Sequence, residues 1–434
     1  MMRSATILLL TGLAAGQVPA PKQARPLLLK GGAVHTVSGP VLAGADILVV
    51  GGKIAAVGND LSVPDNTEVV DLVGKHVYPG LIAATSALGL TEIGAVLATK
   101  DSSEIGDITP EVRSEVAVNP DSLHIPIARL NGVALALTVP EGGLISGTSA
   151  VIMLDGWTWE EMTVRAPVGV HVSWPSSRPR RRRGPPQAPG AAASKKRDSQ
   201  LLKIKDAFAH ARAYAKLKQG KDRPLAQKVD RRWESMRPVI AGKACVFVHA
   251  DGLAEIEAAV DWGQDEGLRL VIVGGQDAWR CAPLLKERDV PVIVTATHRL
   301  PRRRHAGYDA PFTLPKKLLD AGVRFCIAGA ANESANLRNL PYQAAHAAAY
   351  GLPRDEALKA ITLYAANVLG IADRVGSIEK GKDATLIVTN GDPLEIRTQV
   401  ERLFMQGRDV QLDSHQKRLW GKYREKYRRK ANGR

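Results

Sequence analysis

Cysteine is scarce in this chain. The three present, Cys245, Cys281 and Cys326, show no CxxC pair and no Cys/His zinc spacing. A disulfide scaffold and a structural zinc module are therefore excluded. No Gly-x-Ser-x-Gly elbow or reactive-cysteine signature occurs. The Gly-rich stretch Glu141–Gly147 has neither a Walker lysine nor a dinucleotide spacing, so it reads as a structural turn rather than an anion cradle. No segment reads as a membrane span. What is there is globular in kind: 434 residues, 45% hydrophobic, which excludes a wholly disordered or collagen-like chain.

The formal net charge of +15 resembles that of a nucleic-acid binder until it is located. Residues 178–232 carry 18 Lys/Arg against 4 Asp, and residues 416–434 carry 9 Lys/Arg against 1 Glu. The remainder is mildly acidic. Arg180–Arg183 and Lys195-Lys196-Arg197 fit a polyanion such as anionic lipid or acidic wall polymer, or equally a solvated surface insertion. At the N-terminus Arg3, the apolar run Ala5–Leu10 and small residues through Gly16 form the pattern of a secretory signal peptide over 1–17. Export places the protein in the periplasm or outside the cell and argues against genomic DNA as partner. The three cysteines are then expected as buried thiols.

Residues 27–71 read as short strands broken by Gly pairs suited to hairpin turns, and similar strands return at 383–408. A small β-sandwich domain built from both chain ends follows. Between them lie eight apolar runs, 81–84, 133–139, 150–154, 168–174, 244–249, 268–273, 290–295 and 323–328, expected as parallel strands. Amphipathic helices are expected over 253–266 and 278–288. Strand–helix repetition with eight strands gives an α/β fold, a (β/α)8 TIM-like barrel. The expected organisation is sandwich segments over 26–78 and 371–412, a barrel over 79–370, and a basic helical tail over 413–434. The barrel carries a basic insertion over 175–238, with a surface loop to residue 200 and a helix over 199–218. In the tail, Ser414 is a candidate cap, with Leu419, Trp420, Tyr423 and Tyr427 on one side.

Four segments carry a resemblance. Val77–Ile82, Val248-His249-Ala250-Asp251, Asn339–Thr362 and Gly376–Val388 together resemble the amidohydrolase superfamily, most of all its imidazolonepropionase-like branch. The resemblance implies hydrolysis of C–N bonds in amides or cyclic amides. It also implies a divalent-metal centre at the barrel mouth, held by His-x-His on the first strand, Lys or Glu on the fourth, His on the fifth and sixth, and Asp on the eighth. A metal lowers the pKa of bound water and polarises the carbonyl.

Carried over residue by residue, those positions read differently here. Thr85 and Ala87 stand for the His pair, His171 is the fourth-strand group, His249 matches its ligand, Gly274 stands for the sixth-strand His and Ala330 for the Asp. Ala and Gly coordinate nothing, and Thr is a poor ligand for transition metals. His171 and His249 sit on neighbouring strands, close enough to face each other. With Glu333 as third donor they are the candidate catalytic groups of an atypical zinc site; hydrogen-bonded imidazoles left from ancestry are the alternative. His298, Asn332 and Asn336 are candidate substrate contacts, or a loop histidine and helix caps. Three functions stay open: a scaffold or ligand-binding relative with an eroded metal centre, a hydrolase working at His249/His171, and a polyanion-binding protein using 178–232 and the tail. A small amide-like ligand belongs to the first two.

Overall fold

The structure is a computed structural model and describes residues 18–176, 191–219, 229–330 and 333–431. The signal peptide expected over 1–17, the Arg180–Arg183 run and Asn332 lie outside the described residues.

The N-terminal strands are β1 (Leu27–His35), β2 (Val41–Val50), β3 (Lys53–Gly58), β4 (Glu68–Asp71) and β5 (His76–Pro79). Gly51 and Gly52, both at positive φ, turn β2 into β3 as the Gly pair predicts. The other pair does not make a turn. Gly31 and Gly32 lie inside β1 at a break in register, with the Gly31 N–H donating to Asp46 at 2.8 Å. An isolated Gly pair serves a bulge as well as a hairpin.

The barrel follows. Its strands are β6 (Leu81–Ser86), β7 (Val133–Thr138), β8 (Ile145–Met153), β9 (Thr163–Ser173), β10 (Cys245–Ala250), β11 (Leu270–Gly274), β12 (Val292–Thr295) and β13 (Phe325–Ala328). They form one eight-stranded sheet in chain order, with β13 returning against β6 so that the sheet is nearly closed. All eight expected runs are strands. One does not run as expected: β8 is antiparallel to both β7 and β9. A parallel crossover takes a dozen or more residues. Only 139–144 separate β7 from β8, so the chain must turn back as a hairpin. Strands β6, β7, β8, β11, β12 and β13 are buried at every position, which is why they read as continuous apolar runs.

The helices are α1 (His124–Arg129), α2 (Trp159–Met162), α3 (Ala191–Gln219), α4 (Arg231–Ile240), α5 (Leu253–Asp265), α6 (Ala282–Glu287), α7 (Ala310–Asp320), α8 (Leu340–Ala349), α9 (Arg354–Ala360), α10 (Leu363–Leu369) and α11 (His415–Ala431). The helix expected over 278–288 divides into a 3-10 turn and α6, with Pro283 in the first turn of α6. Helix α3 begins at Ala191, inside the stretch expected as a loop. Its stripe Ile204, Phe208 and Ala211 is buried, and Phe208 meets Trp262 of α5 edge-on at 4.9 Å.

Strands β14 (Leu386–Thr389), β15 (Val400–Met405) and β16 (Arg408–Val410) complete the small domain. The ladder between β5 and β14 joins the two chain ends, so all eight strands form one hydrogen-bonded sheet. Leu29, Ile47, Ile54 and Phe404 are in its core. The Ser414 hydroxyl accepts from the Lys417 N–H at 3.2 Å and caps α11. Cys281 and Cys326 are buried and Cys245 half-buried; burial raises all three thiols, Cys281 to about 11. Among the described residues no helix is long and apolar enough to cross a membrane.

Candidate functional site

Strands β9 and β10 pair in parallel with His171 opposite Phe247 and His249 opposite Ser173. Residues two apart on a strand share a face, so Phe247 and His249 both reach His171. Its ring stacks on Phe247 at 4.7 Å, and its Nδ1 lies 2.9 Å from His249 Nε2. Burial holds both imidazoles neutral. His171 is pushed well below the usual range, with His249 adding to the effect, and His249 falls to about 4. One ring donates and the other accepts. His171 Nε2 and Thr85 Oγ1 are buried with no hydrogen-bond partner.

A second group gathers at the same end of the barrel, beyond β12 and β13. A cavity of about 430 Å³ is lined by His298, Arg299, Ala330, Glu333, Asn336 and Gln343, among others. His298 is exposed, as a loop histidine would be, yet it is held on three sides. Its N–H donates to Gln343 Oε1 at 2.9 Å, and its Nε2 lies 2.6 Å from His346 Nδ1 and 3.1 Å from the Tyr342 carbonyl. Asn336 does not cap the following turn; its Nδ2 donates to Glu333 at 2.7 Å. Arg299, Gln343 and His346 were not singled out from the sequence. The available signal was Arg299, Arg302, Arg303 and Arg304 following so closely on a barrel strand. Of these, Arg303 is closed by a bidentate pair with Asp277, at 2.9 and 2.5 Å. A larger cleft of about 500 Å³ lies elsewhere, lined by His35 and Tyr78 of the small domain and by Arg354 and Asp392.

Residues 312–414 match the sequence model of the amidohydrolase family. The crystal structure of an amidohydrolase from Thermotoga maritima MSB8 is similar with a TM-score of 0.78 and 29% identity, over 89% of this chain and 99% of that one. The chain belongs to the amidohydrolase superfamily. Amidohydrolase tasK of Hapsidospora irregularis is 24% identical over 393 residues, 83% of this chain but 39% of tasK. Adenine deaminase 3 of Rhizobium meliloti is 38% identical over 74 residues, 17% of this chain and 12% of that protein. The chain thus spans well under two thirds of the length of either curated relative.

An amidohydrolase-superfamily barrel is expected to hold its metal at this mouth, and the donors can be tested against it. Among the described residues, no three His, Cys, Asp or Glu side chains come together as a ligand set. The three-donor site of His171, His249 and Glu333 does not form: Glu333 lies beyond β13, which two intervening strands separate from β10, and is bound to Asn336. The sixth-strand position disfavours any side chain. Gly274 has φ +107°, and a Cβ there would stand 2.6 Å from Asp251 Oδ1 and 3.1 Å from the Ala250 carbonyl. Two imidazoles bonded to each other fall short of the three protein ligands of a catalytic zinc. The residues present do not fit the metal.

Proposed function

We propose that this superfamily member binds a small amide-like ligand at the barrel mouth without hydrolysing it, its metal centre having eroded. The observation that supports this most is the His171–His249 hydrogen bond, which uses one nitrogen of each imidazole on the other. Gly274 adds to it, since a side chain there meets the strain of a positive φ and must displace the Asp251 carboxylate. Val77–Ile82, Val248–Asp251, Asn339–Thr362 and Gly376–Val388 together support a position near the imidazolonepropionase-like branch. Arg3 and the apolar run behind it support an exported protein.

Elemental analysis of protein loaded with zinc, manganese or iron tests the reading, together with assay against acyclic and cyclic amides. Far less than one metal per chain and no turnover are expected. One equivalent of metal that is lost in His249→Ala, with turnover lost alongside it, would establish the alternative, a hydrolase at His249/His171.

One observation favours a second role, contact with a polyanion. Helix α11 buries no residue, and Trp420, Tyr423 and Tyr427 are 59%, 48% and 64% exposed. Arg424 lies over the Trp420 ring at 4.3 Å, and among the described residues the acids paired with cations of this helix are Glu425 and, before its start, Asp413. Cations beside aromatic faces suit an anionic surface. Heparin binding that weakens with salt and is lost on removing 415–434 supports this role; binding unchanged by that truncation overturns it.

A further inference from the structure

Among the described residues Arg299 has no counter-ion in contact, unlike Arg302 and Arg303. Arg303 is clamped by Asp277, and Arg302 lies 3.6 Å from Glu255. Arg299 Nε is buried without a hydrogen-bond partner, and so is Arg302 Nη1. A buried donor left unmade carries an uncompensated desolvation penalty, larger when it belongs to a charged group. Burial lowers the Arg299 pKa; the more distant Asp251 carboxylate raises it and the like charge of Arg302 lowers it further. The wall of the 430 Å³ cavity therefore carries a guanidinium that the protein does not neutralise by contact.

The groups around it are oriented. Gln343 Oε1 accepts from the Thr297 hydroxyl at 2.8 Å and from the His298 N–H at 2.9 Å, which fixes the amide and leaves its N–H donors for the cavity. Glu333 is the carboxylate among the residues lining the same cavity. Asn336 donates to its Oε1, and the other lone pairs stay open to a further donor. The cavity lining thus combines a cation and amide donors with an acceptor carboxylate.

We propose that this cavity is the seat of a carboxylate-bearing small amide. The ligand's carboxylate lies on Arg299 and the Gln343 amide, and its amide N–H points to Glu333. A guanidinium presents a planar fork of donors that matches a carboxylate bidentately. A neutral amide leaves the charge unanswered, and a bare anion makes nothing of Glu333. This seat rests on the reading of the mouth as a ligand site and adds the ligand's charge and polarity.

Titration calorimetry of the full-length protein at low salt tests it. The probes are N-acetylglycine, its neutral analogue N-acetylglycinamide, and inorganic phosphate. Saturable binding of N-acetylglycine is expected, with neither other probe binding comparably. Arg299→Gln should weaken that binding at least about tenfold, the loss of one charge-assisted hydrogen bond. Its thermal midpoint should be unchanged or higher, since a poorly paired buried charge is removed. Equal binding of acid and amide, undiminished binding by Arg299→Gln, phosphate binding as tight as N-acetylglycine, or no binding of N-acetylglycine would each overturn the seat. Release of acetate from N-acetylglycine would overturn the non-hydrolytic reading and leave the seat standing. Failed binding with no turnover would do the reverse.

Discussion

Gly274 and Asp251 approach so closely at the ends of neighbouring barrel strands that a Cβ on the glycine would meet the carboxylate oxygen at 2.6 Å. Positive φ adds backbone strain for any other residue. Gly274→Ala should therefore destabilise by about 2 kcal/mol or more, measured by denaturant unfolding. The combination Thr85→His, Ala87→His and Gly274→His should fail to bind one zinc per chain. Stoichiometric zinc in that variant, at wild-type stability, would show that the site had not been rebuilt around the glycine.

The His171–His249 pair should make the protein acid-sensitive. Unfolded imidazoles take up protons below about pH 6.5, while in the fold burial keeps His249 neutral until about 4 and pushes His171 well below its ordinary range. Between those limits the unfolded state binds more protons, so stability falls as pH drops from about 6.5 toward 4. Each imidazole contributes up to about 1.4 kcal/mol per pH unit. Replacing both by Leu should flatten this limb without abolishing it, because His35, also lowered to about 4 by burial, remains. Thermal midpoints across that pH range read the slope, and an unchanged slope would contradict the assignment of neutral buried rings.

Gly169 carries the β9–β10 pairing. Its register partner is Cys245, whose carbonyl would lie 2.3 Å from a Cβ, with the Phe247 ring at 2.6 Å. Gly169→Ala should cost about 1–3 kcal/mol through overpacking. It should also shift the imidazole resonances of His171 and His249 in NMR spectra, since the same ladder sets their spacing.

Arg129 and Asp155 form an ion pair at 2.8 Å with both side chains almost fully buried, and Asp155 also accepts from the Ala20 N–H at 3.0 Å. Burial raises the Asp155 pKa and lowers that of Arg129, so desolvation opposes the pair on both sides. Asp155→Ala should cost about 3–5 kcal/mol by stranding the guanidinium. The double variant Arg129→Met, Asp155→Ala should lose less than that single change. A double-mutant cycle in urea measures the coupling.

Much of this protein was legible in one dimension. Buried strands must be apolar throughout, so all eight barrel strands stood out as runs, and the Gly51-Gly52 turn could be read from its backbone demand. The substitutions of Thr85, Ala87, Gly274 and Ala330 at expected ligand positions were visible as well, because a side chain without a donor atom is inert wherever it sits. Strand direction was another matter. The apolar run of β8 looks the same either way up, and only the short link before it decides that it runs backward.

Tertiary structure alone decided which polar groups meet. Whether His171 bonds His249 depends on β9–β10 register, and a slip of one residue would turn the rings to opposite faces. Arg299 and Gln343 share a cavity although they are 44 positions apart, brought together where the segment after β12 bonds to α8 through Thr297 and His298. Sequence determines what each side chain can do chemically. Which unmet donor faces which acceptor is fixed by packing over long loops, and no local pattern encodes those distances.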